Sequence, residues 1–144
     1  MKRTTAVIVL LLAATFVAIA QVPQSTNETV SVSIPHLATF SGERIVALEI
    51  HVTAGVVQSV SNLPIGWYVV VDNDASWCTT IKGNTEVGAA ALSAGELRNL
   101  RLTVKKDTTY QKFALSGTVS VTQDFEKTRS VSLGTSDFAV SPAK

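Results

Sequence analysis

The chain is 144 residues long and carries twelve Lys and Arg against eleven Asp and Glu, with one cysteine. This near balance of charge, without a cluster of basic residues, gives no electrostatic reason to expect binding to nucleic acid or to an anionic membrane. A single cysteine excludes an intrachain disulfide, so an apolar core must hold the fold, and a chain of this size can form one.

The first twenty residues have the pattern of a signal peptide. Lys2 and Arg3 form a short basic region, an apolar stretch follows from residue 6, and Ala18 and Ala20 supply the small residues that signal peptidase recognises. The apolar stretch has fifteen residues, fewer than the ~20 that cross a bilayer as a helix. We therefore predict that residues 1–20 are cleaved and that the protein is secreted or periplasmic, with no membrane contact afterwards.

The rest of the chain is predicted to be a polar, flexible lead-in at 21–28 and one domain at 29–144. From Thr29 onward, short segments alternate apolar with polar residues and are separated by Gly, Pro, Asn and Asp. Such spacing is typical of an all-β sandwich or barrel. The predicted strands are 29–34, 44–52, 55–60, 67–72, 76–82, 86–92, 100–105, 112–122, 129–133 and 137–140.

One segment has a helical signal. Ser93 and Glu96 have the spacing of a capping box, and Leu97 and Leu100 follow three residues apart. Because Gly95 interrupts the segment and alternation soon resumes, we predict one short helical turn near Ser93–Leu97.

One predicted hairpin decides whether the chain offers an aromatic surface. In segment 67–72 the odd-numbered residues share one face and the even-numbered residues share the other. We predict a three-residue loop at 73–75, because this register places Trp67 and Trp77 together on the apolar face, and a slip of one residue would reverse it. Tyr68 then faces outward.

The predicted architecture resembles the immunoglobulin-like and cohesin-like sandwiches: two antiparallel sheets with seven to nine strands and no disulfide. The resemblance is one of layers and strand number alone. It implies no activity, because such sandwiches carry many unrelated functions.

The sequence predicts no catalytic site and no cofactor. The predicted mature chain has two histidines, His36 and His51, and neither is close in sequence to Cys78. A nucleophile needs a base within hydrogen-bond reach, and no Gly-x-Ser-x-Gly sequence is present. We therefore expect a protein that is not an enzyme.

No metal site is predicted either. Glu49 and His51 share one strand face, but zinc usually takes three or four protein ligands. The segment Asp72-Asn73-Asp74 offers oxygen ligands without the spacing of an EF-hand loop. Turn formation explains these three residues, and calcium binding is the alternative that the sequence leaves open.

Five residues are candidates for a ligand or partner surface. Tyr68 is predicted on an outer strand face and Tyr110 in a loop, while Glu49 and His51 are predicted on a solvated strand face. Cys78 is either a buried thiol or a residue that pairs between chains.

These residues favour a non-catalytic exported binding or adhesion module that recognises a protein or a glycan. A structural or assembly component of the cell envelope is the second hypothesis, and a small exported hydrolase the third. A homodimer remains open, because Tyr68 and Val70 need a cover that a second copy could supply.

We expect the mature protein to begin at Gln21, since cleavage is predicted after Ala20. Mass spectrometry of the exported protein would then give the mass of residues 21–144. An intact Met1 on membrane-embedded protein would show that the apolar segment is an anchor.

Overall fold

The computed structural model describes residues 28–39, 41–75, 78–85, 93–124 and 126–144. The predicted signal, almost all of the lead-in, Trp77 and the predicted strand at 86–92 lie outside these ranges.

Nine strands in the described ranges form two antiparallel sheets. In spatial order, the four-stranded sheet contains β3 (Gly55–Ser61), β6 (Arg101–Lys106), β1 (Thr29–Ser33) and β9 (Ala139–Pro142). The five-stranded sheet contains β4 (Trp67–Ala75), β5 (Cys78–Thr85), β2 (Arg44–Thr53), β7 (Ala114–Thr122) and β8 (Thr128–Leu133). The predicted two-sheet antiparallel sandwich is confirmed.

A helical turn, α1 (Ala94–Leu97), lies where the sequence places it, and a 3₁₀ turn follows β8 at Thr135–Asp137. The backbone N–H and the hydroxyl of Ser93 both donate to Oε2 of Glu96, at 2.6 and 2.9 Å. These hydrogen bonds, the backbone one first, hold the pKa of Glu96 below its usual value of 4.5.

The core lies between the two sheets and is built mainly from alternate residues of the strands, with Ile34, Leu37 and Leu97 added from the connections. This is the arrangement expected for strands with one buried face. Its fully buried large side chains are Val30, Val32, Ile34, Leu37, Ile45, Ile50, Val52, Leu97, Leu102, Val104, Val119 and Val121.

A β-bulge at the start of β2 reverses the prediction of which side chains face the core there. The sequence pattern places Val46 with Leu48 on the core face and Ile45 on the other. In the structure, the pairing with β7 shifts between Ile45 and Ala47, so Val46 is the extra residue. Ile45 is fully buried and Val46 is only half-buried, because an extra residue in one strand reverses the alternation on one side of it.

The loop predicted for the β4–β5 hairpin is wrong. Residues 73–75 extend β4, and the strands connect through residues 76–77, outside the described ranges. Val71 therefore lies opposite Ile81 rather than Trp77. Because this register differs from the predicted one by an even number of residues, the two faces of the strand keep their assignment.

Trp67 is buried, as predicted, with 6% of its surface exposed. Gly83 lies beneath its ring, where a Cβ atom would approach the ring carbon Cε3 to 3.3 Å. The neighbouring Tyr68 points the other way and is 43% exposed.

The two sheets are joined by a sharp bend between β2 and β3. Ala54 has a positive φ of 55°, and a Cβ atom on Gly55 would lie 2.8 Å from a methyl carbon of Val104. From β5, the Thr79 hydroxyl donates to the Gly55 carbonyl at 2.7 Å. The bend carries the chain from the centre of one sheet to the edge of the other, where β3 contacts β4.

At the end of the sandwich opposite this bend, two arginines hold loops in place. The Arg129 guanidinium donates to both carboxylate oxygens of Glu43, at 2.7 and 2.8 Å, and the Glu43 side chain is only 6% exposed. Arg98, directly after α1, donates through Nε and a terminal nitrogen to the Leu37 carbonyl, at 3.0 and 2.8 Å.

Adjacent substitutions on β4 test the two faces. We expect Trp67→Ala to lower the free energy of unfolding by about 3–5 kcal/mol, the range for removing a large buried ring. Tyr68→Ala, on the exposed face, should change it by less than about 1 kcal/mol. Denaturant unfolding of both variants measures the difference, and equal losses would contradict the register.

Candidate functional site

The candidate site is the solvent-facing side of the five-stranded sheet, called the outer face below. Cross-strand pairing aligns Val70 of β4 with Lys82 of β5, Glu49 of β2 and Thr118 of β7 in one row. The next row toward the hairpin contains Asp72, Thr80, His51 and Ser116. At the β4 edge the face is apolar and aromatic at Tyr68 and Val70 and acidic at Asp72; it is charged at its centre and hydroxyl-rich on β7.

Glu49, His51 and Lys82 form the charged centre. The Nε2 atom of His51 lies 2.6 Å from one carboxylate oxygen of Glu49, and the Lys82 ammonium nitrogen lies 3.6 Å from the other. The side chains of Glu49 and His51 are each 37% exposed. At that exposure solvent screens the ion pairs, so they orient side chains more than they stabilise the fold.

Thr80 completes a chain of hydrogen bonds through the imidazole. Its hydroxyl oxygen lies 3.2 Å from Nδ1 of His51. With the proton on Nε2, the ring donates to Glu49 and accepts from Thr80, so both ring nitrogens are used. Hydroxyl, imidazole and carboxylate thus follow each other in the order of a nucleophile, a base and an orienting acid.

The arrangement offers little to a metal ion. Both nitrogens of His51 are engaged, and the described ranges contain no group of three His, Cys, Asp or Glu that could hold a metal. In the Asp72–Asp74 segment, the Asn73 side-chain oxygen lies 2.8 Å from the Thr79 hydroxyl, within the hairpin. The Asp74 side chain lies outside the described atoms.

Three of the five candidate residues share this face: Tyr68, Glu49 and His51. Cys78 lies on β5 opposite Ala75 and Thr53, and its side chain is not among those described. Tyr110 is 76% exposed in the loop from β6 to β7 and is not on the strands of the outer face. The structure therefore does not bring the five together.

Sequence reasoning left out Lys82, Thr80 and Val70 as site residues. Val70 could have been included, because it alternates in phase with Tyr68. Lys82 and Thr80 reach Glu49 and His51 through the pairing of β5 with β2, and no local pattern fixes that register.

An open cleft of about 720 Å³ lies at the end of the sandwich opposite the β4–β5 connection. Most of its polar groups close the surrounding loops: the Asn62 amide donates to the Asn99 carbonyl at 3.1 Å, and Arg101 donates to two carbonyls at 3.0 Å. The Glu96 carboxylate is likewise engaged locally, because it accepts a hydrogen bond from the backbone N–H of Ser93. The cleft is thus a consequence of loop closure more than a prepared ligand site.

Comparison with protein-family models, with curated proteins and with solved structures gives no significant match to this chain. In the part of the chain that the structure describes, no helix has the length and apolar character needed to span a bilayer.

We expect metal to be dispensable for stability. An ion that binds only the folded state raises the melting temperature, so EDTA should leave it unchanged, and added Zn²⁺ should not raise it. Differential scanning calorimetry measures both. A rise with Zn²⁺ that His51→Ala abolishes would show a metal site on the outer face.

Proposed function

We propose that the protein is a non-catalytic exported binding or adhesion module that recognises a protein through the outer face next to β4. We further propose that its sandwich resembles the immunoglobulin-like or cohesin-like domains, as predicted from the sequence. Export from the cell and the lack of catalysis are parts of the same proposal.

The observation that carries the proposal is the exposure of Tyr68 and Val70 side by side on β4. They are 43% and 56% exposed, so the second layer of the sandwich does not cover them. Single exposed apolar residues are ordinary, but here a tyrosine and a valine flank the charged centre around Lys82. Protein interfaces typically combine such aromatic and aliphatic contacts with a polar rim.

A protein partner fits this surface better than a glycan. Sugar rings stack on exposed aromatic planes, and Trp67 is buried. Tyr68 is the one aromatic of β4 that is exposed, and its neighbour on the same face is the aliphatic Val70. An aliphatic side chain offers apolar contact to a protein but no ring for a sugar.

The hydrogen-bonded chain Thr80–His51–Glu49 favours a small hydrolase as a second candidate function. Acyl transfer also needs donors for the developing oxyanion. Thr80 lies on β5, which is paired with β4 on one side and β2 on the other. The backbone amides around it are therefore hydrogen-bonded within the sheet and do not supply donors to an oxyanion. Hydrolysis of p-nitrophenyl acetate that His51→Ala and Thr80→Val both abolish would place this candidate first.

Binding of the purified protein to cell envelopes tests the main proposal. Envelopes from the producing cell, prepared after deletion of the gene, are titrated with fluorescently labelled protein. We expect saturable binding that Val70→Lys weakens by at least about tenfold, because a charge replaces an apolar contact at the centre of the interface. Val56→Lys, on the exposed part of β3, is the matched control and should bind as the wild type does.

Pretreatment of the envelopes identifies the partner class. Loss of binding after proteinase treatment is expected for a protein partner. Loss after periodate oxidation alone would indicate a glycan. Binding that Val70→Lys does not weaken would contradict the assignment of the surface.

A further inference from the structure

The four sheet edges differ in their protection against pairing with another strand. Edge strands expose unpaired backbone groups, and proteins block them with short strands, proline, bulges or charges. β9 has four residues and ends at Pro142, and the pairing of β3 is irregular between Val57 and Ser59. β8 carries Arg129, held by Glu43.

Between Trp67 and Val71, β4 has none of these protections; they begin only at its far end, where Asp72 carries a charge and the pairing with β5 is irregular between Asp72 and Ala75. Within the described ranges it is the last strand of its sheet, and it pairs regularly with β5 from Trp67 to Asp72. Residues 67–71 include no charge, proline or glycine. Val71, on the inner side of the strand, is 37% exposed, so the segment 67–71 exposes apolar side chains on both sides.

We propose that β4 pairs antiparallel with β4 of a second copy of this chain, about a two-fold axis at Val70. The two five-stranded sheets then form one continuous sheet across the dimer. Strand addition of this kind uses the free backbone groups of the edge, and a two-fold axis brings the same surface of both copies together. The inference goes beyond the proposed function: the second copy joins at the backbone edge of β4, and the outer face of the continuous sheet stays open to the envelope partner.

The sequence of β4 is complementary to itself in this register. Val70 lies opposite Val70 of the second copy, in the middle of the interface. Tyr68 lies opposite Asp72 of the second copy, where a phenol can donate to a carboxylate, and this pair occurs twice by symmetry. On the inner side, Val69 lies opposite Val71. No like charges are opposed, and cross-strand pairs of these types stabilise a sheet.

Neighbouring registers are less favourable. An axis at Val71 would oppose Asp72 to Val70 and so place a carboxylate against an apolar side chain. An axis at Val69 would oppose Val71 to Trp67, whose backbone N–H already donates to the Pro64 carbonyl at 3.1 Å. That register therefore has one backbone donor fewer for the second copy.

The association should be reversible. Pairing along one strand buries less surface than the ~1,200 Å² or more of stable specific complexes. Monomer and dimer should therefore exchange, and the dimer fraction should rise with protein concentration.

Sedimentation velocity over a concentration series tests the proposal on the protein purified in the form that its own cell produces. The wild type should shift toward the mass of a dimer. Val70→Lys should weaken association by at least about tenfold, because two like charges meet at the axis. Val56→Lys, on the neighbouring edge strand β3, should associate as the wild type does. Circular dichroism of each variant checks that it is folded.

A charge-swap mixture tests the position of the axis. Val70→Lys and Val70→Glu should each be monomeric alone and should form a heterodimer when mixed, because opposite charges then meet at residue 70. A wild type that stays monomeric, a dimer that Val70→Lys leaves intact, or a mixture that stays monomeric would overturn the proposal.

The envelope titration separates this failure from failure of the proposed function. A monomeric protein that still binds envelopes lacking the gene, with loss in Val70→Lys, would remove the second copy as partner and keep the binding module. A monomeric protein without envelope binding would remove both.

Discussion

The bend at Ala54 and Gly55 is the constraint on which the arrangement of the two sheets depends. Without a disulfide, the sheets are connected by the chain, by their shared core and by contacts such as the Thr79 hydroxyl bond to the Gly55 carbonyl. Gly55 admits no side chain, because a Cβ atom would lie within 3.0 Å of methyl carbons of both Val104 and Val52. A central strand of one sheet is thereby fixed to an edge strand of the other, and β3 is brought beside β4.

This geometry accounts for the properties of the β4 surface. Since β3 contacts β4 at the rim, the inner side of β4 is buried at Trp67 but still 37% exposed at Val71. No described segment covers the outer side, and Tyr68 and Val70 are 43% and 56% exposed next to the charged centre. The first part of this edge strand, residues 67–71, therefore combines apolar side chains on both sides with the unpaired backbone groups of a sheet edge, and such a segment favours pairing with another strand.

The fold was largely predictable because period-two alternation with frequent turn residues specifies strands that bury one face. The helical turn followed from Ser93 and Glu96. The failures have local physical causes: the bulge at Val46 inserts a residue without any sign in composition, and the continuation of β4 through Asn73 uses residues that also favour turns. For the candidate site, the exposure of Tyr68 was predictable, because neighbouring residues of a strand point to opposite faces and Trp67 is buried.

The contacts of His51 with Thr80 and of Glu49 with Lys82 could not be predicted, because they depend on which strands become neighbours in the sheet. Sequential order places β3 and β4 between β2 and β5, yet β5 pairs with β2 directly. The position of β4 at the edge of its sheet could not be predicted either, because it depends on the order of the strands in the sheet.

Amide hydrogen exchange of β4 at low and high protein concentration tests most directly that this strand is an open edge used for pairing. If it is, exchange between Tyr68 and Asp72 slows as concentration rises, because backbone donors that faced solvent become hydrogen-bonded. The exposed strand β3 should exchange at the same rate throughout. Exchange in β4 that is independent of concentration, or slowing confined to β3, would contradict the account.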